Sequence, residues 1–302
     1  MTEINRNIAA TLKLCGPAIL APPVSATSTP LEQMTAHICL ILQKQHTCQK
    51  DEDDLDELDA PDSESSEYDW LVIETALEVI AAMATALGPQ FSELWKIFES
   101  QVMKYASSQE RYERSATVGA MADCIEAMGS GCTPFTGRFM KMFQKRLGDE
   151  DSESKSNAAF GAGLLCLHST DAKEVLSAYP SILSSLEPLL HASTAAASPE
   201  ARLLDNAAGC VARMIKKSPD NVPLEQVLPQ LVQLLPLKED YRENEPVFDM
   251  LIALYQQQNG VVMGLTQQLM PIFEKVMGPP EDQLSDETKG RVGQLVQYLR
   301  SQ

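Results

Sequence analysis

The chain has 302 residues, with 42 Asp and Glu against 24 Lys and Arg, a net charge of −18 and a pI near 4.6. A surface of that sign repels phosphate backbones, which excludes nucleic acid as a direct partner, and it attracts and orients basic proteins and peptides. Hydrophobic residues make up 44% of the chain but aromatics only 6%, and the plentiful Ala, Leu and Met point to helix packing rather than sheet.

Seven cysteines, at 15, 39, 48, 124, 132, 166 and 210, form no CxxC pair and no regular framework. Most lie in apolar runs, where Cys behaves as a small hydrophobe, and the pattern suits a reducing compartment. His37, Cys39, His46 and Cys48 lack a recognised ligand spacing, so no metal is expected. No signal peptide is evident, and no apolar run approaches the ~18 residues of a membrane span, so no membrane role is expected.

In chain order, Glu3 to Leu20 reads as an amphipathic helix, with Ile4, Ile8, Leu12, Cys15 and Ile19 at helical spacing. It starts without a cap, as a fragment beginning inside a repeat would. Ser28-Thr29-Pro30 is a capped start for a helix over 31–49. Residues 51–69 then hold eleven carboxylates and no Lys or Arg, a density that predicts a disordered loop inside a repeat. From Trp70 onward helices are predicted over 70–87, 90–106, 109–128, 134–147, 152–168, 172–192, 199–217, 223–235, 245–258, 261–277 and 283–301. Gly, Pro and Ser mark many of the boundaries. Pro180 or Pro188 is expected to bend the helix over 172–192.

One phrase recurs. Leu204-Asp205-Asn206-Ala207-Ala208-Gly209 repeats Lys155-Ser156-Asn157-Ala158-Ala159-Phe160-Gly161, 49 residues earlier, and a looser copy, Glu113-Arg114-Ser115-Ala116-Thr117-Val118-Gly119, stands 42 residues before that. A period of about 40–50 residues with two helices per unit is that of a HEAT or armadillo array. The expected fold is all-α, a HEAT-repeat right-handed α-solenoid of about six helix pairs, running as a single solenoid over 1–302. Aligning the helix ends puts Glu74, Ser115, Asn157, Asn206 and Pro246 in one column.

Asn is mildly unfavourable inside a helix, so its recurrence at one repeat position needs a reason. It could form a hydrogen-bond ladder between repeats, or its amide could grip the backbone of an extended peptide; both can hold. Carboxylates lie beside it: Asp205 before Asn206, then Glu243 and Glu245 one repeat on. A lysine pocket needs acceptors at the ammonium and an apolar wall along the stem. Asn157, Phe160, Asp205, Asn206, Glu243 and Glu245 could supply one, although Phe160 also suits ordinary core packing.

No GxSxG, HExxH, Walker or Rossmann motif occurs, the four histidines (37, 46, 168, 191) suggest no nucleophile–base pair, and Gly161-Ala162-Gly163 reads as close helix packing. Neither catalysis nor a cofactor is expected.

The repeated Ser115, Asn157 and Asn206 phrases, together with Leu235-Pro236-Leu237-Lys238-Glu239-Asp240, resemble the C-terminal HEAT repeats of the importin-β (karyopherin) superfamily, most specifically from about 110 to 258. The resemblance implies nuclear import, shuttling between cytoplasm and nucleus. Its cargo would be lysine-rich localisation signals such as histone H3 and H4 tails or ribosomal proteins, released by Ran GTPase. It makes Asn157, Asn206, Glu243 and Glu245 the leading cargo contacts, with Phe160 and Asp205 behind them. The 51–69 stretch resembles the family's acidic loop, whereas nothing resembles its main Ran-binding repeats. The alternative is a non-transport α-solenoid scaffold or adaptor.

Overall fold

The computed structural model describes residues 1–20, 28–49, 63–190, 200–279 and 283–301. Among them there is no strand. The helices are α1 Thr2–Cys15, α2 Pro30–Leu42, α3 Ser63–Leu87, α4 Phe91–Tyr105, α5 Arg111–Met128, α6 Thr136–Leu147, α7 Ser152–His168, α8 Ala172–Leu190, α9 Ala201–Lys217, α10 Leu224–Leu234, α11 Asn244–Gln256, α12 Gly260–Gly264, α13 Thr266–Val276 and α14 Asp286–Arg300. The chain separates into two compact units, Met1–Pro134 and Phe135–Gln302.

In the first unit α1, α3 and α5 follow one another in one layer, with α2 and α4 in the other. Ile38, Ile73, Phe91, Trp95 and Phe98 fill the space between them and are fully buried. The Tyr105 hydroxyl donates to the Leu42 carbonyl (2.8 Å), so α4 closes an orphan acceptor at the end of α2. In the second unit α7, α9, α11 and α14 form one layer, while α6, α8, α10 and the α12–α13 pair form the other. Each layer takes one helix from every pair, as a HEAT array requires.

Several expectations shift. The helix over 31–49 ends at Leu42, because Lys44 turns left-handed (φ 56°) and its N–H and that of Gln45 bond back to Ile41 and Leu40 (2.9 Å each). At its start the expected cap holds: Thr29 and Glu32 exchange side-chain-to-backbone bonds of 3.1 and 2.8 Å. The acidic loop lies outside the described residues as far as 62, and its remainder, 63–69, is the opening of α3. Pro180 and Pro188, where a bend is expected, both lie inside α8. The helical stretch Trp70–Tyr105 is in fact apolar enough to cross a bilayer, but 67% of its most apolar window is buried within the fold, as in a core helix.

The packing of α7 determines the geometry of the second unit. A Cβ on Gly161 would stand 2.4 Å from Phe143 Cε1 of α6, and one on Gly163 2.8 Å from the Cys210 Cα of α9. Both glycines allow the contacts the Gly-Ala-Gly run predicts. Lys217 of α9 donates to the carbonyls of Leu167 and Ser169 (2.9 and 3.2 Å) and so caps the end of α7.

Candidate functional site

The recurrent polar residues lie along the starts of α7, α9 and α11 and the turn before α11. Asn206 is 1% exposed. Its Nδ2 donates to Ser156 Oγ on α7 (3.0 Å), to the Arg202 carbonyl (3.1 Å) and to Asp240 Oδ2 (3.4 Å). Its Oδ1 is buried without a hydrogen-bond partner. The same device recurs: Asn5 of α1 donates to Thr75 of α3 (3.1 Å), and Asn244 of α11 to the Gln283 carbonyl (2.9 Å). These amides form ladders between successive helices of a layer. The pairing partner of Asn206 is Ser156, one residue before the aligned Asn157; Asn157 itself is 9% exposed.

Asp205 faces the chain rather than a guest. Its carboxylate accepts from the backbone N–H groups of Lys238 (3.1 Å), Glu239 (2.8 Å) and Asp240 (2.9 Å), pinning the segment that leads into α11. Burial pushes its carboxyl up, and those three donors pull it back.

Glu243 is fully buried, paired with Arg213 of α9 through two bonds of 2.5 and 2.9 Å. Burial raises the Glu243 carboxyl, and Arg213 opposes that shift. The Arg213 guanidinium lies 5.2 Å over the Phe160 ring, with Arg242 5.7 Å from the same ring. Gly209 makes room for the pair, since a Cβ there would fall 1.5 Å from Glu243 Oε2. An acid at the tip and an aromatic wall do make a cation pocket, but its occupant is Arg213 of the same chain.

Glu245 accepts from the Ser285 N–H (2.8 Å) and from the Thr288 hydroxyl, tying α11 to the start of α14. Burial alone would raise its carboxyl, yet the bonds from Thr288 and Ser285 prevail and hold it below the usual carboxylate range.

Of the six residues expected to touch cargo, then, Asp205, Asn206 and Glu243 are buried and bonded within the chain. Glu245 is engaged with α14. Asn157 and the half-buried Phe160 border the same edge. The physical reason is that stacked helices turn these positions towards each other, and the nearest cation and donors are their own. Two carboxylates that the sequence pattern does not single out lie beside these residues. The Glu153 side chain is 59% exposed and that of Asp240 20% exposed, and Arg202 reaches them only at 3.7 and 3.9 Å. Among the described residues no group of three His, Cys, Asp or Glu could hold a metal.

Helix pairs stacked in two layers, with polar ladders inside one layer, define an α-solenoid of the HEAT and armadillo class. A designed armadillo repeat protein superimposes with a TM-score of 0.51 over 87% of this chain and 99% of its own, at 16% identity, which bears on the fold alone. Residues 63–161 match a family model described as importin subunit beta-1-like, TPR repeats. A probable importin subunit beta-4 of Schizosaccharomyces pombe is 36% identical over 268 residues, 87% of this chain and 24% of that protein. Importin-4 of Mus musculus is 30% identical over 293 residues, 96% of this chain and 25% of that protein, and Importin-4 of Homo sapiens 29% identical over 297, 96% of this chain and 26% of that protein. The chain belongs to the importin-β superfamily. It spans about a quarter of the length of these curated relatives.

Proposed function

We propose that this chain is the cargo-holding part of a nuclear import receptor and binds lysine-rich segments along the polar edge of α7, α9 and α11. The observation that carries this reading is the loosely held pair of carboxylates, Glu153 and Asp240, at 3.7 and 3.9 Å from a half-exposed Arg202. A cargo ammonium can displace a cation held at that distance, because exposed ion pairs are worth only roughly 0.2–1 kcal/mol. The net charge of −18 draws a basic segment to this surface. The family's sequence likeness extends over this same region. Histone H3 and H4 tails and ribosomal proteins have the required chemistry, and Ran-controlled release in a shuttling receptor belongs to the same reading. Asn157 and Phe160 are its flanking contacts. No catalytic step enters it.

The test is calorimetric titration of an H3-tail peptide at two salt concentrations, with wild-type chain and with the Glu153→Lys/Asp240→Lys pair. Binding should weaken with salt, weaken again when the peptide lysines are acetylated, and fall about tenfold in the double variant. No binding by the wild type at low salt rejects the proposal. The second reading, a scaffold or adaptor for protein–protein interaction, is favoured by the burial of Asp205, Asn206 and Glu243. It predicts a partner whose binding is unchanged by the same double variant.

A further inference from the structure

A nucleophile–base pair stands in the first unit, on elements that do not carry the polar edge. After α2 ends, the left-handed Lys44 turns the chain into a short helical turn, Thr47–Gln49. This turn places His46 Nδ1 3.0 Å from Cys48 Sγ. The Cys48 backbone N–H also points at Nδ1, at 3.3 Å. A ring nitrogen that accepts from a main-chain N–H carries no proton itself, so the ring proton sits on Nε2, and the Nδ1 lone pair that faces the turn is shared between the long main-chain bond and the closer thiol, from which it can take the proton. The His37 ring lies edge-on to the His46 ring, with centroids 5.0 Å apart, and His37 Nε2 meets Asn5 Oδ1 at 3.3 Å, which fixes His37 beside it.

The other six cysteines make the contrast. Cys124, Cys132, Cys166 and Cys210 are buried. Burial pushes the Cys166 thiol up to about 12 and raises Cys124 and Cys210 as well. Cys39 is half-buried and raised for the same reason. Cys15 is exposed. Among the described residues Cys48 is the cysteine that is both exposed and in contact with an imidazole acceptor.

We propose that Cys48 is a thiol-modification site for low-molecular-weight disulfides of the glutathione class, with His46 as the base. As Cys48 Sγ attacks one sulfur of the disulfide, its proton passes to His46 Nδ1. The disulfide's S–S bond breaks and a Cys48–S–S bond forms. The leaving thiolate then takes the proton from His46 and departs as a free thiol. One thiol is oxidised into the mixed disulfide and one disulfide half is released reduced, so electrons and protons balance. A second thiol reverses the reaction. The site therefore carries a reversible covalent mark on the connection between α2 and α3, independent of the polar edge.

The full chain is treated with oxidised glutathione at pH 7 and quenched with acid, and the early occupancy of every cysteine is read by peptide mass spectrometry. Cys48 should be modified about tenfold faster than Cys15, a small share of the roughly 10²–10⁴ that a positioned base supplies in enzymes. His46→Gln should bring Cys48 down to the Cys15 rate while leaving Cys15 unchanged. Cys15 is the internal reference, and the four buried cysteines report folding, since any unfolded sample labels them as well. Equal rates at Cys15 and Cys48 in folded wild type, or a Cys48 rate unmoved in folded His46→Gln, overturns the proposal.

Discussion

At the scale of single residues, the polar edge is governed by Arg213. Its two bonds to Glu243 lie where neither partner meets water. Removing one member of such a pair leaves the other charged, buried and alone, at a cost of about 3–5 kcal/mol. Arg213→Met should therefore lose about that much in urea denaturation at pH 7. The sign of the pH effect follows from the raised Glu243 carboxyl: without Arg213 it is raised further, so the folded state takes up a proton more readily than the unfolded one. Stability relative to wild type is then recovered as pH falls and lost as it rises, and the deficit should shrink between pH 7 and pH 5. Gly209 is subject to the same constraint. Gly209→Ala drives a methyl into the Glu243 carboxylate and should cost about 3 kcal/mol or more, whereas adding it to Glu243→Ala should cost far less. That non-additive cycle, measured by denaturant titration, locates the clash.

At the scale of the element, most helices could be read in advance because Gly, Pro and capping residues break an otherwise regular apolar period. The ends read poorly where a residue other than glycine adopts the left-handed turn. Lys44 does this after α2, and Gln258 (φ 53°) after α11, where the N–H groups of Gln258 and Asn259 return to Tyr255 and Leu254 (3.0 Å each). Left-handed backbone costs an L-residue roughly 1–2 kcal/mol, and glycine avoids that cost. Gln258→Gly should accordingly raise thermal stability by about 1 kcal/mol, seen as a higher Tm. The order of the layer in the second unit, α7, α9 and α11, follows the repeated phrase, but the ladder bonds fall on Ser156 and Asn244 rather than on the aligned Asn157 and Pro246. What could not be read was which carboxylates stay open. Nothing near Glu243 announces that Arg213, 30 residues back, will reach it; the one available hint was Gly209, a glycine inside a helix, one turn before Arg213. Asp205 was equally opaque, because its partners are backbone N–H groups of a segment whose path no side-chain pattern encodes.

At the scale of the whole molecule, charge and packing answer different questions. The net −18 governs encounter with basic partners and should give binding that fades with ionic strength, while the buried polar ladders hold neighbouring helices in register and should be indifferent to salt. Denaturation midpoints that hold steady over the salt range in which peptide affinity collapses would separate the two.

The Arg213 seat has a further consequence. Cutting that side chain back to alanine leaves a hollow of guanidinium size, walled by Phe160 and floored by the Glu243 acid. Millimolar guanidinium, too dilute to denature, should then restore stability to Arg213→Ala while doing nothing for wild type. In that variant a small dissolved cation would do the work of a covalently tethered one, and helix cohesion would become something a chemist can titrate.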